Sequence, residues 1–108
     1  MYKILIAEDE SEMRNLLVKY INKKPDMEVV GSVVNGCEAL EKVREIRPDI
    51  VITDIFMPVM NGLEFLTAAA EEKFPLKAVI ISGYDTFEYA KKAISLGVAD
   101  YLLKPFDP

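Results

Sequence analysis

Short apolar runs rich in β-branched residues alternate along the chain with longer stretches whose apolar residues recur at helical spacing. Lys3 to Ala7, Glu28 to Val34, Ile50 to Thr53, Ala78 to Ser82 and Tyr101 to Leu103 read as strands. Between them, Ser11 to Lys23, Gly36 to Arg47, Leu63 to Lys73 and Thr86 to Leu96 read as amphipathic helices. Their stripes, such as Met13, Leu16, Leu17 and Tyr20 or Ala39, Leu40, Val43 and Ile46, are expected to face a core.

The same punctuation recurs at each helix. Asp9, Asn35, Asn61 and Asp85 each stand three residues before a glutamate, the pattern of an N-cap with an acidic first turn. Pro25, Pro48 and Pro75 follow three of the helices and Gly97 closes the fourth. Successive strand, cap, helix and stop units define a βα repeat and an α/β fold, a doubly wound parallel sheet covered on both faces. Right-handed crossovers and five strands favour the order 2-1-3-4-5. Phe106-Asp107-Pro108 has the look of a helix start, so a fifth helix is expected to begin where this sequence stops. Residues 1–108 are read as a single domain without linkers or low-complexity tracts. Without that helix, one sheet face is expected to be less well covered, lowering stability or favouring an exchanged dimer.

Composition narrows the chemistry. Of 108 residues, 13 are Lys or Arg and 18 Asp or Glu, a net charge of −5 with no histidine at all. An acidic surface repels phosphate backbones, which argues against direct nucleic-acid binding. No apolar run is long enough for a membrane helix, and the single cysteine, Cys37, has no intrachain disulfide partner, so a reducing, cytoplasmic setting is expected. The missing histidines remove imidazole bases, catalytic triads and imidazole metal ligands together. Glycine-rich nucleotide cradles are absent as well. Carboxylates, hydroxyls and lysine are left to do any chemistry.

In a parallel sheet of this order, sites form beyond the carboxyl ends of the strands, at the switch between the first and third. Those ends carry Glu8 and Asp9, then Asp54, then Ser82, then Lys104. Alone, each has a plainer reading: Asp9 as a helix cap, Glu8 as a solvated loop acid, Ser82 as a turn former, Lys104 before Pro105 as a surface lysine. Asp54 is harder to explain away, because it interrupts a run that is apolar on both sides. Together, three carboxylates, a hydroxyl and an ammonium suit a hard divalent cation beside an anionic group, and a carboxylate can itself accept a phosphoryl group.

Glu8-Asp9, Asp54-Ile55-Phe56-Met57-Pro58-Val59-Met60-Asn61-Gly62, Ser82-Gly83 and Lys104-Pro105, in this order and spacing, resemble the receiver domain of two-component response regulators over essentially the whole chain. The resemblance implies a flavodoxin-like receiver fold, here stopping before its fifth helix. It implies that Asp54 accepts a phosphoryl group from a partner sensor histidine kinase, and that Mg²⁺ is bound by Asp9, Asp54 and the backbone carbonyl of Phe56, with Glu8 acting through water. Ser82 and Lys104 would follow the phosphoryl group, and Tyr101 would be the aromatic switch residue. The stretch from Ser82 to Pro105 is similar to receivers joined to helix-turn-helix transcription regulators, implying a DNA-binding output domain outside this chain. Receivers often dimerise through the fourth helix, fifth strand and fifth helix, so a dimer through that face is a further expectation.

Glu8 departs from the more usual aspartate, and Ser82 replaces the more common threonine while keeping the hydroxyl. Phe56 and Tyr84, two residues beyond Asp54 and Ser82, offer no group to orient water, so slow self-dephosphorylation is expected. Two alternatives stand beside this reading. A Mg²⁺-dependent phosphohydrolase with an aspartyl nucleophile would need a second acid where Phe56 stands and a substrate-covering cap. A pseudo-receiver acting only as an interaction module would have no use for the full set of Asp9, Asp54, Ser82 and Lys104.

Overall fold

The computed structural model describes residues 1–83, 91, 92, 95 and 97 and, as backbone, the strand at 100–103. Within these, β1 (Tyr2–Ala7), α1 (Ser11–Asn22), β2 (Met27–Val33), α2 (Gly36–Ile46), β3 (Ile50–Thr53), α3 (Gly62–Glu71), β4 (Lys77–Ser82) and β5 (Asp100–Leu103) follow one another. All neighbouring strands pair in parallel, in the order β2-β1-β3-β4-β5, as the βα repeat predicts. Of the expected fourth helix, Thr86 to Leu96, only residues 91, 92 and 95 are described, all three helical, while its Asp85 cap, Tyr84, Lys104 and the expected helix start at 106–108 lie outside the described residues.

Two apolar layers sandwich the sheet. On one face, Leu5, Ala7, Val51 and Ile80 pack against Ala39, Leu40 and Val43 of α2 and Leu63, Leu66 and Ala69 of α3. On the other, Ile4, Ile6, Ile52 and Ile81 meet Leu17 and Ile21 of α1. The alternation Leu5/Ala7 against Ile4/Ile6 is the period-2 signature of a strand buried on both sides. Of the predicted α1 stripe, Leu17 is buried and Met13 and Tyr20 pack half-buried against this layer, whereas Leu16 is 40% exposed and Ile21 is buried in its stead.

Helix entries follow the predicted grammar at two of the three described helices. The Asn35 side chain accepts from the Glu38 N–H at 2.8 Å, and Asn61 forms a reciprocal capping box with Glu64. At α1 the expectation fails, for Asp9 is not the cap. The helix starts one residue later than that pattern requires, so Glu10 occupies the N-cap position, and its side chain makes no capping hydrogen bond. Strand and helix bounds otherwise shift by one or two residues, as at β2, which begins at Met27 and carries a register irregularity opposite Ile4 and Leu5.

Candidate functional site

The sheet register decides which side chains meet. Ala7 stands level with both Val33 and Thr53, so the residues after Ala7 and Thr53 leave the sheet side by side. The Glu8 N–H donates to the Val33 carbonyl at 3.0 Å and the Asp54 N–H to the Ala7 carbonyl at 3.0 Å, extending both ladders one step past the strands. Both side chains are thereby held in the interior rim: Glu8 is 1% exposed and Asp54 7%. The reading of Glu8 as a solvated loop acid is thus overturned, because its place in the ladder buries it.

Asp9 follows on the exposed side of the turn. One carboxylate oxygen from each of Glu8, Asp9 and Asp54 lies within 4.8 Å of the others. Like charges this close repel one another unless positive charge is supplied. A carboxylate set of this kind suits a hard cation such as Mg²⁺, which typically takes one or two carboxylates and keeps waters or phosphate oxygens.

Local hydrogen bonds orient two of the three acids, Glu8 and Asp54. Glu8 Oε2 accepts from the Glu10 N–H at 3.2 Å, and Asp54 Oδ1 accepts from the Ile55 N–H at 2.7 Å. The Arg14 guanidinium, reaching back from α1, donates through Nη1 to the Glu8 carbonyl at 2.9 Å.

The segment after Asp54 is folded tightly beneath the site. The Gly62 N–H donates to the Ile55 carbonyl at 2.7 Å, and a Cβ on Gly62 would stand 2.0 Å from the Asp54 carbonyl oxygen. The Gly36 N–H donates to the Met60 carbonyl at 2.8 Å, where a Cβ on Gly36 would come to 2.5 Å. Two glycines therefore let the N-termini of α2 and α3 close onto this loop. At its tip, Met60 N–H donates to the Pro58 carbonyl at 2.7 Å around Val59, whose φ is +70° and which is 81% exposed. Phe56, two residues past Asp54, is 39% exposed rather than packed in the core.

Ser82 ends β4 fully buried and pairs with Leu103 of β5. Lys104 follows directly in sequence but lies outside the described residues. Tyr101 lies within β5, level with Ile80, and only its backbone is described. Arg14 was the residue that sequence reasoning missed. A helical arginine six positions beyond Glu8 belongs to no spacing motif, and only the reversal of the chain between strand and helix brings the two together.

Comparison with known proteins identifies the family of the chain. Residues 4–108 match the family model of the response regulator receiver domain, and the chain belongs to that family. It is similar to the protein-glutamate methylesterase/protein-glutamine glutaminase 1 of Syntrophomonas wolfei, at 40% identity over 95% of this chain and 30% of that protein. It is equally similar to the uncharacterized transcriptional regulatory protein YesN of Bacillus subtilis, at 41% identity over 97% of this chain and 29% of that protein. Among solved structures, a LuxR-family DNA-binding response regulator from Staphylococcus aureus superposes with a TM-score of 0.93 at 32% identity, over 99% of this chain and 89% of that one. The chain thus spans about three tenths of the length of the two curated relatives. Their names differ, one an esterase and glutaminase, the other a transcriptional regulator. Among the described residues, no helix is long and apolar enough to cross a membrane.

Proposed function

We propose that this chain is a phosphorylation-controlled switch in which Asp54 accepts a phosphoryl group from a phosphohistidine on a partner sensor kinase. The observation that carries the reading is the convergence of Glu8, Asp9 and Asp54 within 4.8 Å at the carboxyl end of the sheet. Asp9 and Asp54, with the Phe56 carbonyl, would hold Mg²⁺, and Glu8 would contribute through water. When bound, that ion would supply the positive charge that offsets the repulsion of the acids and screens the incoming phosphoryl oxygens.

In the transfer, a carboxylate oxygen of Asp54 forms the new O–P bond as the P–N bond to the donor imidazole breaks, and the imidazole takes up a proton as it leaves. The Ile55 N–H on Asp54 Oδ1 helps to fix the carboxylate at the end of β3. The Ser82 hydroxyl and the Lys104 ammonium are the expected partners of the transferred oxygens. Turning toward the phosphoryl group, Ser82 would bias the β4–β5 edge and Tyr101, passing the change to an output domain. The similarity to YesN and to the LuxR-family structure favours a transcriptional output and a cytoplasmic setting. Phe56, standing where a phosphohydrolase would need its second acid, weighs against hydrolysis of a substrate.

Intact mass after exposure to a small-molecule phosphodonor with Mg²⁺ tests the proposal. One added phosphoryl group is expected, lost in Asp54→Asn and in the presence of chelator. Modification that survives in Asp54→Asn, or that proceeds without divalent metal, would overturn it.

A further inference from the structure

Glu8 and Asp9 are consecutive residues, and in an extended strand their side chains would point to opposite faces of the sheet. For both carboxylates to reach the same few ångströms as Asp54, the chain must turn sharply after Glu8 and be held there. At α2 and α3 the corresponding strand-to-helix turns are secured by the asparagine caps Asn35 and Asn61. At α1 no cap side chain does this, and the one the sequence offers for it, Asp9, is among the clustered acids instead. Two hydrogen bonds span this turn: the Glu10 N–H donates to Glu8 Oε2 at 3.2 Å, and from the other direction Arg14, part-buried in the first turn of α1, donates to the carbonyl of Glu8 at 2.9 Å. Its own N–H makes the first backbone bond of the helix, to the Glu10 carbonyl at 2.9 Å, so the side chain ties the start of the helix back to the end of β1.

We infer that Arg14 is a positioning residue for metal binding, doing for the β1–α1 turn what the asparagine caps do for the other two and so freeing Asp9 to act as a ligand. The inference rests on the reading of Glu8, Asp9 and Asp54 as a Mg²⁺ site. Its effect has a sign that simple electrostatics would not give. A guanidinium bonded to the backbone of the acidic turn, if it acted through charge alone, would repel a divalent cation, and its removal would tighten binding. If Arg14 acts by holding the turn, its removal loosens the ligand pair and weakens binding, and loss of an orienting partner of this kind typically costs about tenfold in metal affinity.

The test is calorimetric titration of the unphosphorylated chain with Mg²⁺, comparing wild type, Arg14→Met and Arg44→Met, with thermal unfolding of each. Methionine keeps most of the bulk and removes the donor and the charge. Arg44, in a surface ion pair with Glu72 away from the acids, controls for destabilisation alone. About tenfold weaker Mg²⁺ binding in Arg14→Met, with Arg44→Met at the wild-type value, is expected. Phosphorylation by a small-molecule donor should recover as Mg²⁺ is raised, showing that the loss lies in binding and not in the transfer step. Unchanged or tighter binding in Arg14→Met, while wild type binds, would overturn the role of Arg14. Absence of Mg²⁺ binding by wild type itself would instead overturn the metal-site reading, and the inference with it.

Discussion

At the residue scale, the segment between Asp54 and α3 concentrates the backbone demands of the site. Gly62 tolerates no Cβ, because the atom it would meet at 2.0 Å is the carbonyl oxygen of Asp54 and not a movable side chain. Gly62→Ala should therefore cost about 2–3 kcal/mol, as overpacking against fixed atoms does, and displace the acceptor aspartate. Urea unfolding and intact-mass phosphorylation should fall together in this variant. Gly31→Ala is the milder comparison, since its Cβ would touch the flexible end of Leu5 at 3.2 Å. Val59 works in the opposite sense. A β-branched residue at φ +70° holds strain of roughly 1–3 kcal/mol, and glycine there would give back about 0.5–1 kcal/mol in chain entropy. Val59→Gly should thus raise stability by about 1 kcal/mol, read as a higher urea midpoint at unchanged slope. Asp54 was legible in the sequence because a charge inside an apolar run has to be explained. The left-handed turn at Val59 was not, since valine is the residue type least suited to it and the Met60–Pro58 hydrogen bond exists only once the loop is folded.

At the element scale, the caps and the pair between helix ends carry the testable energetics. Asn61 satisfies an orphan N–H of α3 and receives the Glu64 carboxylate on its own N–H at 2.9 Å, so Asn61→Ala should destabilise by about 1 kcal/mol. The ends of α2 and α3 are joined by Arg44 and Glu72, Nε to Oε1 at 2.8 Å and Nη2 to Oε2 at 2.6 Å. The side-chain hydrogen bond from Arg44 holds the Glu72 carboxyl below its ordinary value of 4.5. A depressed acid adds stability that is present above the unfolded-state value and disappears as pH falls through the folded-state value. The stability difference between wild type and Glu72→Gln should therefore be constant near neutrality and close as the solution is acidified below about 4.5, a comparison made by unfolding at a series of pH values. The order of elements and the two asparagine caps were legible because the spacing of apolar residues and cap types is local information. The start of α1 was not, because Asp9 and Glu10 are both acceptable near a helix start, and the choice between them is made by the sheet ladder that fixes Glu8 and by Arg14 reaching back to it.

At the scale of the whole molecule, stability and metal binding are coupled through the acidic cluster. The parallel sheet brings the ends of β1 and β3 together, so folding itself assembles Glu8, Asp9 and Asp54 and pays for their mutual repulsion. In the unfolded chain Asp54 lies far along the sequence from the other two, and neither the repulsion nor the site exists. A ligand that binds only the folded state stabilises it by RT ln(1 + [L]/Kd), about 1.4 kcal/mol at ten times the dissociation constant. For a domain of this size that corresponds to a rise of roughly 5–10 °C in the unfolding midpoint. Asp9→Asn separates the two halves of the coupling. Removing one charge from the cluster should make the variant slightly more stable than wild type in chelator, because less repulsion is assembled on folding. The same change removes a ligand, so the variant should gain little on adding Mg²⁺ while wild type gains the full increment. The two melting curves should therefore change order between chelator and saturating Mg²⁺. If Asp9→Asn were the less stable chain in both conditions by the same margin, Asp9 would be acting in the fold and not as a ligand, and the division of labour between Asp9 and Arg14 at the head of α1 would fall with it.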